Sequence, residues 1–132
     1  MIKRVVIITV IALFCFIGFT MFYNGFSGVQ SVMIQEYNHS FEEGKKVTDQ
    51  EIIGTVTGIL NRANKITNTQ YKLAIEPNYR IQLEYKNEEK EVLLLYEGFD
   101  QNESLISTDR SNNYYKLNKK QTKSMVQLLF NE

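Results

Sequence analysis

The stretch YRIQLEY, residues 79–85, decides the fold class of this 132-residue chain. Apolar or aromatic side chains occupy every second position, and polar or charged side chains occupy the positions between them. Successive side chains of a β-strand point to opposite faces of a sheet, so this period of two predicts a strand with one face in a core and one in water. The alternating sets are Tyr79, Ile81, Leu83 and Tyr85 against Arg80, Gln82 and Glu84.

The residues after this strand predict an antiparallel meander. Asn87-Glu88-Glu89 forms a polar turn, and the run from Val92 to Tyr96 returns as a strand that is apolar on both faces. Such a strand is typical of the centre of a sheet that is covered on both sides. Leu105-Ile106 and Tyr114 to Leu117 predict two more short strands between polar loops at 100–103 and 109–113.

A first strand and a helix are predicted before residue 79. Val32 and Ile34 indicate a strand that ends near Tyr37, and residues 38–44 follow as a loop. Thr48-Asp49-Gln50-Glu51 resembles a capping box, in which a side chain at the helix start accepts a free backbone N–H and Glu51 reaches back. Gly54 and Gly58 either permit the close approach of a partner or are tolerated surface glycines. The predicted buried stripe is Ile52, Ile53, Val56, Ile59, Leu60 and Ala63.

A second helix is predicted near residue 118, where Asn118 acts as the N-cap with Gln121 three residues later. Its first turns carry Lys119, Lys120 and Lys123, which oppose the helix macrodipole. The cluster is either a basic patch or an ordinary solvated helix face. The predicted buried stripe is Thr122, Met125, Val126, Leu128 and Leu129.

The run from Val5 to Phe22 contains 18 residues without a charge. At ~1.5 Å per residue a helix of this length extends ~27 Å, which is enough to cross a bilayer. Lys3 and Arg4 precede the run, and the next cation is Lys45, so the positive-inside rule places the N-terminus in the cytoplasm. The prediction is a single-pass cell-membrane protein with an extracytoplasmic C-terminal domain.

Two other fates of the N-terminal run are open. Gly25-Phe26-Ser27 could serve as a signal-peptidase site, although the apolar run is long for a cleaved signal. Cys15 could carry a lipid only if a small residue preceded it, and Phe14 stands there. We therefore expect an anchor and joint at 1–28, with Gly25, Ser27 and Gly28 as a flexible joint, and one α+β domain at 29–132.

The residues favour no catalytic, cofactor-binding or metal-binding site. Cys15 and His39 are the only residues of their types, which excludes an internal disulfide and any site that needs two imidazoles. Fifteen basic residues against 15 acidic ones give no basic excess of the kind typical of nucleic-acid binding. Residues 100–104 begin like a calcium loop, but Leu105 and Ser111 stand where that loop needs Gly and Glu.

The order of these strands and helices resembles that of the YhfM-like domain, which is found in small cell-envelope proteins of Bacillus and its relatives. The resemblance covers most of Val32 to Leu129 and has no catalytic signature, so it implies a fold and an envelope location without a site. Relatives are often lipoproteins, whereas here a transmembrane anchor would hold the domain, and Tyr96 stands where relatives tend to have Trp. The motifs that carry it are the strand Val32 to Glu36, the helix entry from Val47 to Ile52, the strands Tyr79 to Tyr85 and Val92 to Tyr96, and Tyr114-Tyr115-Lys116-Leu117 before a Leu-rich helix.

The function expected from these features is that of a membrane-anchored, non-enzymatic extracytoplasmic α+β domain that binds a protein or an envelope component. One alternative is an envelope hydrolase with paired carboxylates drawn from Glu84, Glu88, Glu89, Glu91 and Glu97; another is protection against a secreted toxin. The fold expected is an N-terminal transmembrane helix followed by a small antiparallel sheet packed against two helices. Tyrosines are favoured where a surface is both wet and adhesive, and those of the candidate interaction surface are Tyr79, Tyr85, Tyr96, Tyr114 and Tyr115.

Overall fold

The computed structural model describes residues 2–21, 24–38 and 44–130, with the backbone alone at 15–21. Residues 39–43, which include His39 and most of the loop predicted at 38–44, lie outside this description. The described helices are α1 (Ile2–Met21), α2 (Gln50–Asn61) and α3 (Lys119–Phe130). The described strands are β1 (Val29–Glu36), β2 (Lys45–Val47), β3 (Asn64–Ile66), β4 (Tyr79–Tyr85), β5 (Lys90–Tyr96), β6 (Glu103–Thr108) and β7 (Tyr114–Asn118).

The seven strands form one sheet in the order β2-β1-β4-β5-β6-β7-β3. Every pairing is antiparallel, and β4 to β7 follow one another as the predicted meander. The α+β class with an antiparallel sheet is therefore confirmed. The two edge strands, β2 and β3, were not predicted, because three residues are too few to display a period of two.

Helices α2 and α3 cover one face of the sheet, which we call the core face; it carries Ile81, Leu83 and Leu93. Pairing of Ile81 with Leu93 and of Ile34 with Ile81 brings these side chains to the same side. The helices contribute Val56, Leu60, Met125 and Leu129, all fully buried, to the same cluster. Burial of such side chains is the main stabilising term of the domain.

The opposite face, which we call the open face, carries Gln82, Val92 and Leu94. The prediction that β5 is covered on both sides is only half right, because Val92 and Leu94 are half-buried while Leu93 and Leu95 are fully buried. In the described residues, both α2 and α3 pack against the core face. The apolar run shows that β5 is central without specifying what covers its second face.

The N-terminus of α2 is close to the prediction and shifted by one residue. Asp49, rather than Thr48, is the N-cap, and its carboxylate accepts the backbone N–H groups of Glu51 (2.9 Å) and Ile52 (3.2 Å). A carboxylate at this position also interacts favourably with the positive end of the helix dipole. Gly54 meets no neighbour within 4 Å of an added Cβ, which fits a tolerated surface glycine.

The cap of α3 is confirmed as a reciprocal pair. The backbone N–H of Gln121 donates to Asn118 Oδ1 at 2.7 Å, and the N–H of Asn118 donates to Gln121 Oε1 at 3.1 Å. Of the predicted stripe, Thr122, Met125 and Leu129 are buried, whereas Val126 and Leu128 are only partly buried against the core. The sequence pattern thus predicted the start of this helix and the centre of its inward face.

The Asn24–Gly28 segment is packed against the domain, so the predicted flexible joint is wrong. The Asn24 side-chain amide donates to the carbonyls of Leu60 (2.9 Å), in the last turn of α2, and of Ala63 (2.8 Å), just after the helix. The backbone N–H and C=O of Phe26 bond to the two ends of the Asn61 side-chain amide. These contacts satisfy carbonyls that a helix C-terminus leaves unpaired, and that is why the segment is held.

Helix α1 presents apolar side chains to its surroundings over its described part. Ile2 is 82% exposed and Phe14 is 71% exposed. Among the described residues, no helix has both the length and the apolar character that a membrane crossing demands.

Candidate functional site

The five candidate tyrosines are divided between the two faces of the sheet, so they do not form one patch. Tyr79, Tyr85 and Tyr115 lie on the core face, whereas Tyr96 and Tyr114 lie on the open face. The division follows from strand register, since Tyr79 pairs with Leu95 and its neighbour Tyr96 points to the other side. Of the predicted interaction surface, only Tyr96 and Tyr114 share the open face.

The three core-face tyrosines serve packing. Tyr115 is 4% exposed, and its ring meets that of Phe26 edge to face at a centroid distance of 5.2 Å. Tyr79 packs on Phe130 at 5.6 Å. Burial raises the pKa of all three phenols above the ordinary value for tyrosine.

The open face combines apolar, aromatic and basic side chains at its centre. Val92 and Leu94 lie side by side along β5, and both are half-buried. Leu94 pairs with Arg80 of β4, whose guanidinium lies 5.8 Å from the centre of the Tyr37 ring. The solvent face of an antiparallel sheet is ordinarily polar, so apolar side chains here are the exception.

One end of the open face is covered by the chain itself. The connection at 67–78 runs from β3 at the sheet edge to β4, and it has to pass β5, β6 and β7 on the way. Tyr71 in this connection contacts the rings of Tyr114 (5.0 Å) and Phe99 (5.3 Å) edge to face. The Lys116 ammonium lies 5.5 Å from the centre of the Phe99 ring, so an aromatic and cationic rim borders Val92 and Leu94.

A buried carboxylate, Glu91, forms the centre of a polar cluster on the core face. Glu91 is 3% exposed and accepts hydrogen bonds from the hydroxyls of Tyr85 (2.5 Å) and Thr108. Arg110 lies 3.7 Å from the Glu91 carboxylate and 4.9 Å from the centre of the Tyr85 ring. Burial and the hydrogen bond to Glu91 raise the pKa of Tyr85, so its proton stays on the phenol.

Two clefts of about 330 and 300 Å³ flank Arg110. Both are lined by Gly25, so the Asn24–Gly28 segment forms a shared wall. Glu89 reaches the same guanidinium at 3.7 Å, and its side chain is 61% exposed. A guanidinium between two carboxylates and over a phenol ring is held in place by charge and stacking, which suits a structural or ligand-orienting role.

The remaining candidate carboxylates do not join this cluster. Glu84 lies on the open face, where it accepts a hydrogen bond from the Gln30 side chain at 2.8 Å. Glu88 occupies the tight turn between β4 and β5 with a positive φ of 71°. Glu97 follows β5 and belongs to a separate cleft beside α3. Glu89 and Glu91 each lie 3.7 Å from a different nitrogen of the Arg110 guanidinium, which therefore stands between them.

The loop that begins like a calcium site is an ordinary turn in the described structure. The Asp100 carboxylate accepts the backbone N–H of Asn102 at 3.3 Å. No group of three or more acidic, histidine or cysteine side chains is arranged to hold a metal ion within residues 2–21, 24–38 and 44–130.

Sequence reasoning missed the burial of Glu91 and the partial exposure of Val92 and Leu94. The sequence contained part of the information for Glu91, because alternation along the strand places it on the same face as Leu93 and Leu95. Its neighbours Tyr85 and Thr108 come from two other strands, and only the register brings them together.

Comparison with known protein families gives a match between residues 28–132 and the family model described as YhfM protein. The matched range covers every strand of the sheet together with α2 and α3. Comparison with curated proteins and with solved structures gives no significant match.

Proposed function

The chain belongs to the YhfM protein family, and we propose that it acts as a membrane-anchored, extracytoplasmic, non-enzymatic domain that binds a protein partner through the open face of its sheet. The observation that carries the proposal is the position of Val92 and Leu94. Both lie on the central strand and face away from the two helices that bury the rest of the core.

The chemistry of the open face favours a protein partner. An apolar centre bordered by polar and aromatic groups is the common composition of a protein interface. Of the two tyrosines on this face, Tyr114 is half-buried and Tyr96 is buried at 9% exposure, so Tyr114 is the one that a partner can contact. Arg80 and Lys116 add cations that lie against aromatic rings. Tyrosine and arginine are enriched among the residues that contribute most to binding.

The membrane anchor is supported by the run from Val5 to Phe22. Its described side chains, up to Phe14, are exposed and apolar except for Thr9, whose hydroxyl donates to the Val5 carbonyl within the helix. A helix with apolar side chains around its circumference requires apolar surroundings. The run ends at Phe22, beyond the described part of α1. Lys3 and Arg4 on the N-terminal flank favour an N-terminus in the cytoplasm and a domain outside it.

The non-enzymatic role is supported by the environment of Glu91. Both carboxylate oxygens accept hydrogen bonds from hydroxyl groups, and Arg110 lies beside the carboxylate. A pair of hydrolytic carboxylates needs a shared reaction space, whereas a guanidinium stands between Glu89 and Glu91. We therefore retain binding over hydrolysis.

Membrane topology is tested with a reporter fused to the C-terminus of the full chain. An enzyme that is active only outside the cytoplasm should be active in this fusion, and deletion of residues 5–22 should abolish its activity. A fusion with an active cytoplasmic reporter would refute the envelope location.

Binding is tested by replacing Leu94 with a photo-crosslinking residue in the full chain and irradiating native membranes. The matched control carries the same crosslinker at Ser124, which is exposed on α3 on the other side of the sheet and does not line the cleft beside that helix. We expect one discrete product from position 94 that is lost when Val92→Lys is added, and no such product from position 124. Equal products from both positions, or a product that survives Val92→Lys, would refute binding through the open face.

A further inference from the structure

A cleft of about 390 Å³ lies beside the first two turns of α3, on the core-face side of the sheet. It is lined by Glu97 from the end of β5, by Ser104 from β6, and by Lys119, Lys123 and Val126 from α3. The sheet separates this cleft from the open face, so it is independent of the surface proposed above for a protein partner.

Ser104 is the unexpected member of the cleft. Its side chain is fully buried, and its hydroxyl has no hydrogen-bond partner among the described residues. Buried polar groups in proteins are almost always paired, because an unpaired one loses its bonds to water without replacement. An unpaired hydroxyl in the wall of a cleft therefore indicates a group that binds there.

The side-chain charges of the cleft indicate whether the bound group is positively or negatively charged. Lys119 and Lys123 are four residues apart, so their side chains share one face of α3. The Lys119 ammonium donates to the backbone carbonyl of Glu97, which fixes its position in the cleft wall. Two lysines oppose the single carboxylate of Glu97 among the described lining residues, leaving a positive excess.

The helix dipole adds to the same potential. The cleft extends along the 12-residue helix α3 from Lys119, its first residue, to Gln127, so the positive end of the dipole contributes at the Lys119 end of the cleft, where the first turn contains no acidic residue. Cations at this end raise the local positive potential and destabilise the empty helix terminus. An oxyanion bound next to these cations would remove this repulsion.

We propose that this cleft binds an oxyanion group, a phosphate or a carboxylate, with Lys119 and Lys123 supplying charge and the Ser104 hydroxyl supplying a hydrogen bond. Val126 forms an apolar wall, so the molecule that carries the anionic group has an apolar part next to it. The Lys119, Lys120 and Lys123 cluster is thereby divided, because Lys120 is exposed and does not line the cleft.

The test uses the purified full chain in a non-ionic detergent and titrates it with inorganic phosphate or with acetate by calorimetry, at constant ionic strength maintained with chloride. We expect saturable binding of at least one of the two anions, and the comparison between them identifies the preferred oxyanion. Lys123→Gln and Ser104→Ala should each weaken binding by roughly tenfold, as expected for loss of one charge-assisted contact.

Lys120→Gln is the matched control, because it removes a neighbouring charge from the same helix end without touching the cleft. It should leave the dissociation constant within about twofold of the wild type, because charges exposed to water interact weakly. Ser104→Ala separates binding from folding: its thermal midpoint without added anion should not fall, because the lost hydroxyl has no partner. Absence of saturable binding, or equal losses in Lys120→Gln and Lys123→Gln, would overturn the proposal.

Discussion

Replacement of Phe26 by Ala tests whether the Asn24–Gly28 segment is part of the folded domain. Phe26 is 3% exposed, and its ring meets Tyr115 edge to face at 5.2 Å. Truncation of a buried Phe to Ala lowers the free energy of unfolding by about 3 to 5 kcal/mol. Because Phe26 also lines a cleft of about 330 Å³, water can enter the space left by the ring, and we expect the lower end of that range.

The assay is urea unfolding of the full chain in detergent, followed by circular dichroism. A loss of about 3 kcal/mol corresponds to a fall of roughly 12 °C or more in the thermal midpoint of a domain of this size. Ser27→Ala is the control, since Ser27 is exposed next to Phe26, and exposed substitutions change stability by within about 0.5 kcal/mol. If the two variants unfold alike, the segment is not packed and the joint is flexible after all.

Three further predictions follow from the hydrogen bonds and pKa shifts of the core. Glu91→Ala should lower the free energy of unfolding by about 2 kcal/mol, since it leaves the hydroxyls of Tyr85 and Thr108 without their acceptor; urea titration measures it, and a neutral effect would contradict the cluster. Burial, followed by the hydrogen bond to Glu91, raises the folded-state pKa of Tyr85 above its unfolded value of about 10. The protonated phenol therefore contributes fully to the free energy of unfolding below about pH 10, and this contribution is lost as the pH rises further. Unfolding measured between about pH 8 and 11 should therefore show a decline that is shallower in Tyr85→Phe, and identical slopes would refute this assignment. Asp49→Ala should cost about 1 kcal/mol in the same urea assay and Thr48→Ala much less, because Asp49 caps α2; the reverse order would restore the capping box predicted from the sequence.

The sequence was sufficient for elements whose residues repeat over several positions. The bounds of β4, Tyr79–Tyr85, match the prediction because seven alternating residues leave one register of burial. The cap of α3 was predictable because Asn118 and Gln121 interact over three positions. Local signals of this kind are independent of the rest of the fold.

The candidate surface depended on information that no local pattern contains. Tyr79 and Tyr96 are both aromatic strand residues, and only the pairing of Tyr79 with Leu95 places them on opposite faces. The Asn24–Gly28 segment contains glycines that suggest flexibility, yet Asn61 binds the Phe26 backbone from 35 positions away. In both cases the deciding contact joins residues that are distant in sequence.

The open face follows from the number of elements available to cover the sheet. Both faces of a seven-stranded sheet need covering if both carry apolar side chains. Helices α2 and α3 pack on the core face, and the connection at 67–78 contacts the open face at Tyr114, near the opposite edge from β1. Val92 and Leu94 therefore lie between a covered end and the strands β4 and β1, with no described helix above them. A sheet face that remains in water ordinarily carries polar side chains at such positions. The apolar character of Val92 and Leu94 is therefore accounted for if a partner covers this face of the sheet.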